Sequence, residues 1–168
     1  MAEYWDMYDC DRKPLGKLHR RGDEIPAGEY HLVVEIWTRD DTGRFLISRR
    51  HPDKPWGLYW ECTGGSVVAG EDSLTGAQRE LEEELGIRVD PLELKYVFTS
   101  VNVRNTNSIY DVYEVRWNGD ISELTFQECE VVDAKWVGFD KLCAMYDAGE
   151  VVPQIGYFRE KFAPENAG

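Results

Sequence analysis

GSVVAGEDSLTGAQRELEEELGI, residues 65–87, joins a glycine-opened loop to an amphipathic helix that gathers its acids on one side. Across residues 72–85 the side chains of Leu74, Ala77, Leu81 and Leu85 fall on one stripe at 100° per residue. Gly86 follows as a C-cap. Glu80, Glu83 and Glu84 fall on a neighbouring face, within an arc of about 100°. A run of acids usually marks a solvated face, but here two effects oppose it. Glu80 stands i,i+3 from Glu83 and i,i+4 from Glu84, and each such pair costs about 0.2–0.5 kcal/mol. Glu83 and Glu84 also occupy the last turn, where the macrodipole disfavours negative charge. Arg79, at i,i+4 from Glu83, relieves only part of this. Acids placed against two opposing effects imply a cation. Oxygen donors with no Cys or His beside them suit Mg²⁺ or Mn²⁺ rather than zinc. Gly64 and Gly65 let the backbone come close to a ligand, so a carbonyl there can join the coordination shell. Glu71, just ahead of the helix, is favoured by its dipole and placed to cap it.

On either side of this segment the chain reads mainly as strands. Tyr4, Trp5, Asp6, Met7 and Tyr8 alternate like an edge strand, and Pro14-Leu15-Gly16 carries turn chemistry. Residues 31–38 and 44–49 are β-branched or aromatic runs joined by Asp40-Asp41-Thr42-Gly43, a hairpin signal. Residues 51–56 form a Pro-containing loop, and 60–67 a short, Gly-interrupted extended piece. Residues 95–101, 109–117 and 131–137 read as later strands. Helices are expected over 139–148 and 154–162, with a frayed tail at 163–168. Strands on both sides of one central helix predict a mixed α/β or α+β sandwich.

The bulk numbers narrow the function. Hydrophobic residues make up 42% of 168, with six Trp, nine Tyr and six Phe, so the chain buries a sizeable core. Asp and Glu outnumber Lys and Arg 32 to 19, a net charge of −13, which argues against long nucleic acid as a partner. A small phosphorylated substrate remains open, because a bound divalent cation reverses the local sign. The acidic N-terminus has no apolar region of the signal-peptide kind, and no apolar run reaches membrane-spanning length. Cys10, Cys62, Cys129 and Cys143 are scattered without metal spacing and read as free thiols of a cytoplasmic protein. His19, His31 and His51 are equally scattered.

The segment matches the Nudix signature at every position: Gly65, then Glu71, then Arg79, Glu80, Leu81, Glu83, Glu84, Gly86 and Ile87 at the required spacing. Seven fixed residues would coincide by chance at a frequency on the order of 10⁻⁸ per start point. Trp56-Gly57-Leu58-Tyr59-Trp60-Glu61 resembles the family's lead-in. Asp133-Ala134-Lys135-Trp136-Val137 with Phe139-Asp140-Lys141-Leu142 resembles its closing strand and helix. The resemblance covers about 29–142 on that pattern reading. It implies an α/β/α sandwich with a mixed sheet and an added N-terminal hairpin, one domain over 1–168. Residues 1–28 would be the extension, 29–142 the core and 143–168 the C-terminal helices and tail. The hairpin offers a contact for a homodimer.

The resemblance also implies an enzyme that hydrolyses a small-molecule diphosphate, a nucleoside diphosphate linked to another moiety, with Mg²⁺ or Mn²⁺. Glu80 and Glu84 would be the principal metal ligands, with the Gly65 carbonyl as a third. Glu83 would be a ligand or the base that orients the attacking water. Arg79 would orient the glutamates, and Glu71, with Gly64, would support the loop. Some members add an acid just before the last strand, for which Glu130 is preferred here over Glu128. Arg49 and Arg50 end a strand, and one of them can hold a phosphate; alternation puts only one on a given face. Trp56 can stack on a base or close an apolar patch.

The N-terminal section, with Trp5-Asp6-Met7-Tyr8-Asp9, Leu18-His19-Arg20-Arg21-Gly22-Asp23 and Tyr30-His31-Leu32, resembles the isopentenyl-diphosphate isomerase subgroup. That isomerase needs Cys and His at the start of the box loop, where this chain has Gly64 and Ser66. It also needs a glutamate on a strand where only Asp111 is acidic. Cys62 lies two residues early. Isomerisation and a non-catalytic ligand-binding module are therefore the alternatives to hydrolysis, and the intact box glutamates favour catalysis.

Overall fold

A computed structural model describes residues 1–101, 104 and 106–165. Its elements are β1 (Tyr4–Tyr8), β2 (Pro14–Arg20), β3 (His31–Arg39), β4 (Phe45–Arg50), β5 (Trp60–Glu61), β6 (Thr63–Ser66), α1 (Ser73–Leu85), β7 (Lys95–Val101), β8 (Ser108–Arg116), β9 (Val131–Val137), α2 (Phe139–Asp147) and α3 (Phe158–Lys161). Single 3₁₀ turns occur at Pro91–Glu93, Ile121–Glu123 and Pro153–Ile155.

Alternation along β3 sets the layers. Leu32, Val34 and Ile36 join Ala77, Leu81 and Leu85 of α1 in one core, whereas Trp37 joins Leu142 and Met145 of α2 and Phe158 of α3 in another. Because β3 is apolar on both faces, it must lie inside a sandwich. It pairs parallel with β8 and antiparallel with β4 and β6, so the sheet is mixed. The order is β5-β4-β3-β8-β7, with β6 also on β3 and β9 on β4. The expected mixed α/β/α sandwich is what forms.

α1 begins one residue later than the spacing suggests. Asp72 is the N-cap and accepts from the Thr75 N–H at 2.7 Å. Glu71 therefore does not cap the helix. Gly86 closes it in the left-handed region at φ 73°, its N–H donating to Glu82 O.

Two expectations fail for local reasons. Pro14-Leu15-Gly16 is not a turn but the start of β2, where Pro is tolerated because a first strand residue needs no N–H. The turn lies at 9–13, where Asp9 Oδ1 accepts from the N–H groups of Asp11 and Lys13, both at 2.9 Å. The expected helix over 154–162 breaks into Pro153–Ile155 and α3. There Pro153 O accepts the Gly156 N–H at 3.3 Å, closing a 3₁₀ turn, and the Tyr146 hydroxyl at 2.9 Å. The expected tail at 163–168 lies outside the described residues from position 166 on.

β1 and β2 form a separate two-stranded sheet. Tyr8 and Tyr30 exchange backbone hydrogen bonds at 2.8 and 2.9 Å, and Trp5 and Met7 are buried. Arg12 forks onto Asp111 of β8 at 2.7 and 2.6 Å. The hairpin also holds the box loop, since Ala69 N–H donates to Tyr4 O and Gly70 N–H to Asp6 Oδ2, both at 2.8 Å.

Trp5 stacks on His31 with ring centroids 3.9 Å apart. Burial, with smaller contributions from His19 and Arg21, lowers the His31 pKa to about 4. The unfolded chain therefore takes up a proton near pH 6.5, before the folded one does. The stability this gives is complete above pH 6.5 and is lost as pH falls towards about 4. At about 1.36 kcal/mol per pH unit the loss is about 3 kcal/mol. Urea unfolding of wild type and His31→Gln across pH 7 to 4 should show a flatter pH slope for the variant. Parallel slopes would mean that His31 titrates alike in both states.

Candidate active site at the β6–α1 junction

β6 runs antiparallel to β3, with Gly65 opposite Val34 and Gly64 opposite Glu35. This puts the box loop beside the central strand and α1 against it. A Cβ on Gly65 would lie 2.3 Å from Glu80 Cδ, and one on Gly64 would lie 2.7 Å from Val34 O. Gly65 is thus glycine because the Glu80 carboxylate occupies the space of its side chain.

Arg79 fixes the acids around that contact. Its Nε and Nη2 reach Glu71 at 2.8 and 3.1 Å, Nη1 reaches Glu80 at 2.8 Å and Glu83 at 3.2 Å, and Nη2 also donates to Ser66 O at 3.0 Å. Burial opposes the Arg79 charge, but Glu71 and Glu80 more than compensate and its pKa rises. Glu71 further accepts from the Val68 N–H at 3.3 Å and so braces the loop.

The three helix acids are not equivalent. Glu84 is 4% exposed, and its Oε2 has no hydrogen-bond partner among the described residues. Burial pushes its pKa well above the ordinary carboxylate value; Glu61 and Glu80 add to this, while Lys54 opposes it. Glu80 is also raised, by burial first, with Arg79 opposing. Glu83 has a 46% exposed side chain and lies on the solvent side of Arg79. Among the described residues, no three acidic, imidazole or thiol side chains are gathered tightly enough to grip one ion as placed. Glu71, Glu80 and Glu83 are instead joined through Arg79.

Beside the glycines opens a cavity of about 300 Å³, lined by Glu35, Arg50, Trp56, Glu61, Arg104 and Tyr110 among others. Arg50 Nη1 holds both Glu61 oxygens at 2.8 and 2.7 Å. Burial nonetheless raises the Glu61 pKa, against the pull of Arg50. Arg49 turns the other way, over the Trp60 ring, with its Nε on Leu58 O at 2.9 Å. Only Arg50 therefore faces the cavity. Trp56 stands at φ 56°, 45% exposed and edge-on to Tyr59. Glu130, partly buried, pairs with Lys54, whereas Glu128 is exposed.

Sequence reasoning missed the inner wall. Arg104 reaches Glu35 at 2.6 and 3.3 Å and Gln154 O at 2.8 Å, and it lies 4.1 Å from the centre of the Tyr110 ring. The Tyr157 hydroxyl also donates to Glu35 and accepts from Trp37 Nε1 at 3.0 Å. The available signal was Glu35 itself, a lone acid inside the apolar run of β3.

The donor set fits a hard divalent cation. A buried carboxylate oxygen without a partner among the described residues and a second carboxylate seated on a glycine are oxygen donors of the kind Mg²⁺ or Mn²⁺ takes. The fold is a mixed α/β/α sandwich with a cluster of acids at the β6–α1 junction, and likeness to known proteins gives its family. The NUDIX domain profile matches residues 29–158, and the chain belongs to the Nudix family as a Nudix hydrolase. Members of that family generally use divalent metals and bind small molecules.

An uncharacterised Nudix hydrolase of Listeria monocytogenes is 34% identical over 167 residues, covering 98% of this chain and 96% of that protein. Isopentenyl-diphosphate Delta-isomerase of Cutibacterium acnes is 29% identical over 161 residues, 89% of this chain and 79% of that one. A crystal structure of a Deinococcus radiodurans protein has the same fold, with a TM-score of 0.80 at 24% identity over 96% of this chain and 100% of that one. No described helix is long and apolar enough to cross a membrane.

The metal-free protein carries the cost of burying the Glu84 carboxyl with an oxygen left unpartnered among the described residues. Glu84→Gln should raise its stability by about 1 kcal/mol, which is about 2–4 °C in Tm for a chain of this size. A calorimetric scan in chelator reads this directly. A fall of several degrees would make Glu84 a structural residue.

Proposed function

We propose that this Nudix hydrolase cleaves a diphosphate linkage in a small molecule, a nucleoside diphosphate joined to another moiety. It would do so with Mg²⁺ or Mn²⁺ held at the box, and with residues 1–168 acting as one domain. Glu84 carries the proposal, because a buried carboxylate with an unpartnered oxygen is strongly disfavoured unless a cation completes it. Glu80 and the Gly65 carbonyl supply further oxygen donors beside it. When bound, a divalent ion there neutralises phosphate oxygens and acidifies a water.

The chain's own residues then have distinct tasks. Arg79 holds Glu80 and Glu71 in place before substrate arrives, so that no reorganisation is needed at the moment of reaction. Glu83, on the solvent side of Arg79, orients the attacking water or accepts its proton. Glu130 approaches the same acids from the loop before β9 and adds a further oxygen donor. Arg50 faces the diphosphate while bracing Glu61, and Trp56 offers an open ring face to the group that the diphosphate carries.

Isomerisation of a carbon–carbon double bond has weaker support. A Cys in place of Gly64 would collide with Val34 O, and Asp111 is occupied by Arg12 and by the Thr99 hydroxyl at 2.6 Å. Incubation with isopentenyl diphosphate and Mg²⁺ should give no dimethylallyl diphosphate.

Product release from a panel of nucleoside diphosphate derivatives, with and without Mg²⁺ or Mn²⁺, tests the proposal. Glu84→Gln should lower kcat/KM by about a hundredfold or more on any substrate found. Glu130→Gln should lower kcat with KM little changed, and Glu128→Gln should be nearly silent. Full activity in chelator, or an active Glu84→Gln, would contradict the assignment.

A further inference from the structure

Beyond β4 the chain turns back over the box, and this loop is pinned at both ends. Arg50 Nε donates to Pro55 O at 2.7 Å, and the His51 N–H donates to Glu130 O at 2.9 Å. The pinning delivers the Lys54 ammonium to the Glu130 carboxylate, with the lysine side chain 24% exposed. Lys54 differs from the arginines around the cavity. Arg50 holds Glu61 with two bonds, Arg79 holds Glu71, Glu80 and Glu83, and Arg104 holds Glu35. Lys54 has a single point contact, on an acid that is itself partly exposed. The loop that carries Glu130 is bonded to the helix at Glu84, since Gln127 N–H donates to Glu84 O at 3.1 Å and Glu130 N–H to Gln127 O at 3.2 Å. Glu84 is buried there with its Oε2 unpartnered among the described residues.

We propose that Lys54 is a tethered counter-cation. Its ammonium balances Glu130, beside the box acids, when no divalent ion is present and yields Glu130 when that ion binds. This rests on the reading of Glu80 and Glu84 as metal ligands. Carboxylates cannot be held together out of water without a counter-charge, and a site that must stay ready for metal needs one that can be displaced. Lysine suits this because it is a compact charge on a flexible stem, so it can leave Glu130 by side-chain rotation alone. A forked arginine pair would have two aligned bonds to break. The loop keeps the released ammonium nearby, so it returns when the ion leaves.

Mn²⁺ titration calorimetry on substrate-free protein, with thermal scans of the metal-free form, tests this without recourse to activity. Lys54→Met should bind Mn²⁺ about tenfold tighter than wild type, because the ion no longer displaces an ammonium or meets its charge. Its metal-free Tm should fall and recover under saturating Mn²⁺. Lys54→Gln should behave in the same way, and Lys54→Arg should bind no tighter than wild type. Wild-type or weaker Mn²⁺ affinity in the two neutral variants overturns the counter-cation. If Glu84→Gln binds Mn²⁺ as wild type does, the metal-site reading itself fails and this inference goes with it. Loss of binding in Glu84→Gln alongside unchanged Lys54 variants would sink only the inference.

Discussion

The seating of the Glu80 carboxylate on the Gly65 backbone is the contact from which the rest of the site follows. It exists because β6 is locked onto β3 and α1 packs Leu81 and Leu85 into the same core. With the strand and the helix both fixed by apolar burial, the distance between loop and helix face has little freedom. A side chain at position 65 would meet the Glu80 carboxylate and displace it from this seat. Arg79 then becomes the hub, bonded at once to the loop through Ser66 O and to acids before and within the helix. The N-terminal hairpin adds a second restraint, since β1 holds the box loop at Ala69 and Gly70.

Around this contact the protein gathers negative charge, and it manages that charge unevenly. Glu61, Glu71, Glu80, Glu35 and Glu130 each have an ion-pair partner, and among the described residues Glu84 has none. A fold optimised only for stability would have an apolar residue or a partner at position 84. Local rules broken in one place, within a network that otherwise obeys them, mark a functional site. The uneven pairing therefore argues for metal chemistry more strongly than the number of acids does. Arg104 and Tyr157 close the inner end of the cavity around Glu35, which gives it a polar floor fixed by several bonds.

What the sequence could convey follows from how local each feature is. The helix at α1 was readable because its stripe of Leu74, Ala77, Leu81 and Leu85 and its glycine cap lie within fourteen residues of one another. The two-sided apolar run of β3 likewise announced a buried strand. Helical spacing set Glu80, Glu83 and Glu84 on one face, but it carried no sign that Glu84 is sealed while Glu83 meets solvent. That difference is made by the elements packed against the helix, β6 and the loop before β9. Pro14-Leu15-Gly16 misled because the signal was compositional, whereas the turn was decided by the Asp9 side chain a few residues upstream. The break near Pro153 falls where a 3₁₀ turn closes on Pro153 O, which hydrophobic spacing does not announce. The pairing of Arg104 with Glu35 joins residues 69 positions apart, and no local pattern encodes it. Lys54 was invisible for the same reason.

The central claim is that the buried, unpartnered carboxylate of Glu84 exists to complete a divalent-cation site with Glu80 and the Gly65 carbonyl. The most direct measurement is an anomalous difference map from a crystal soaked in Mn²⁺ without substrate. The account predicts a peak within coordination distance, about 2.0–2.6 Å for hard-cation oxygen ligands, of a Glu84 oxygen, a Glu80 oxygen and Gly65 O. A peak on exposed acids elsewhere, with Glu84 still unpartnered at saturating Mn²⁺, would contradict it.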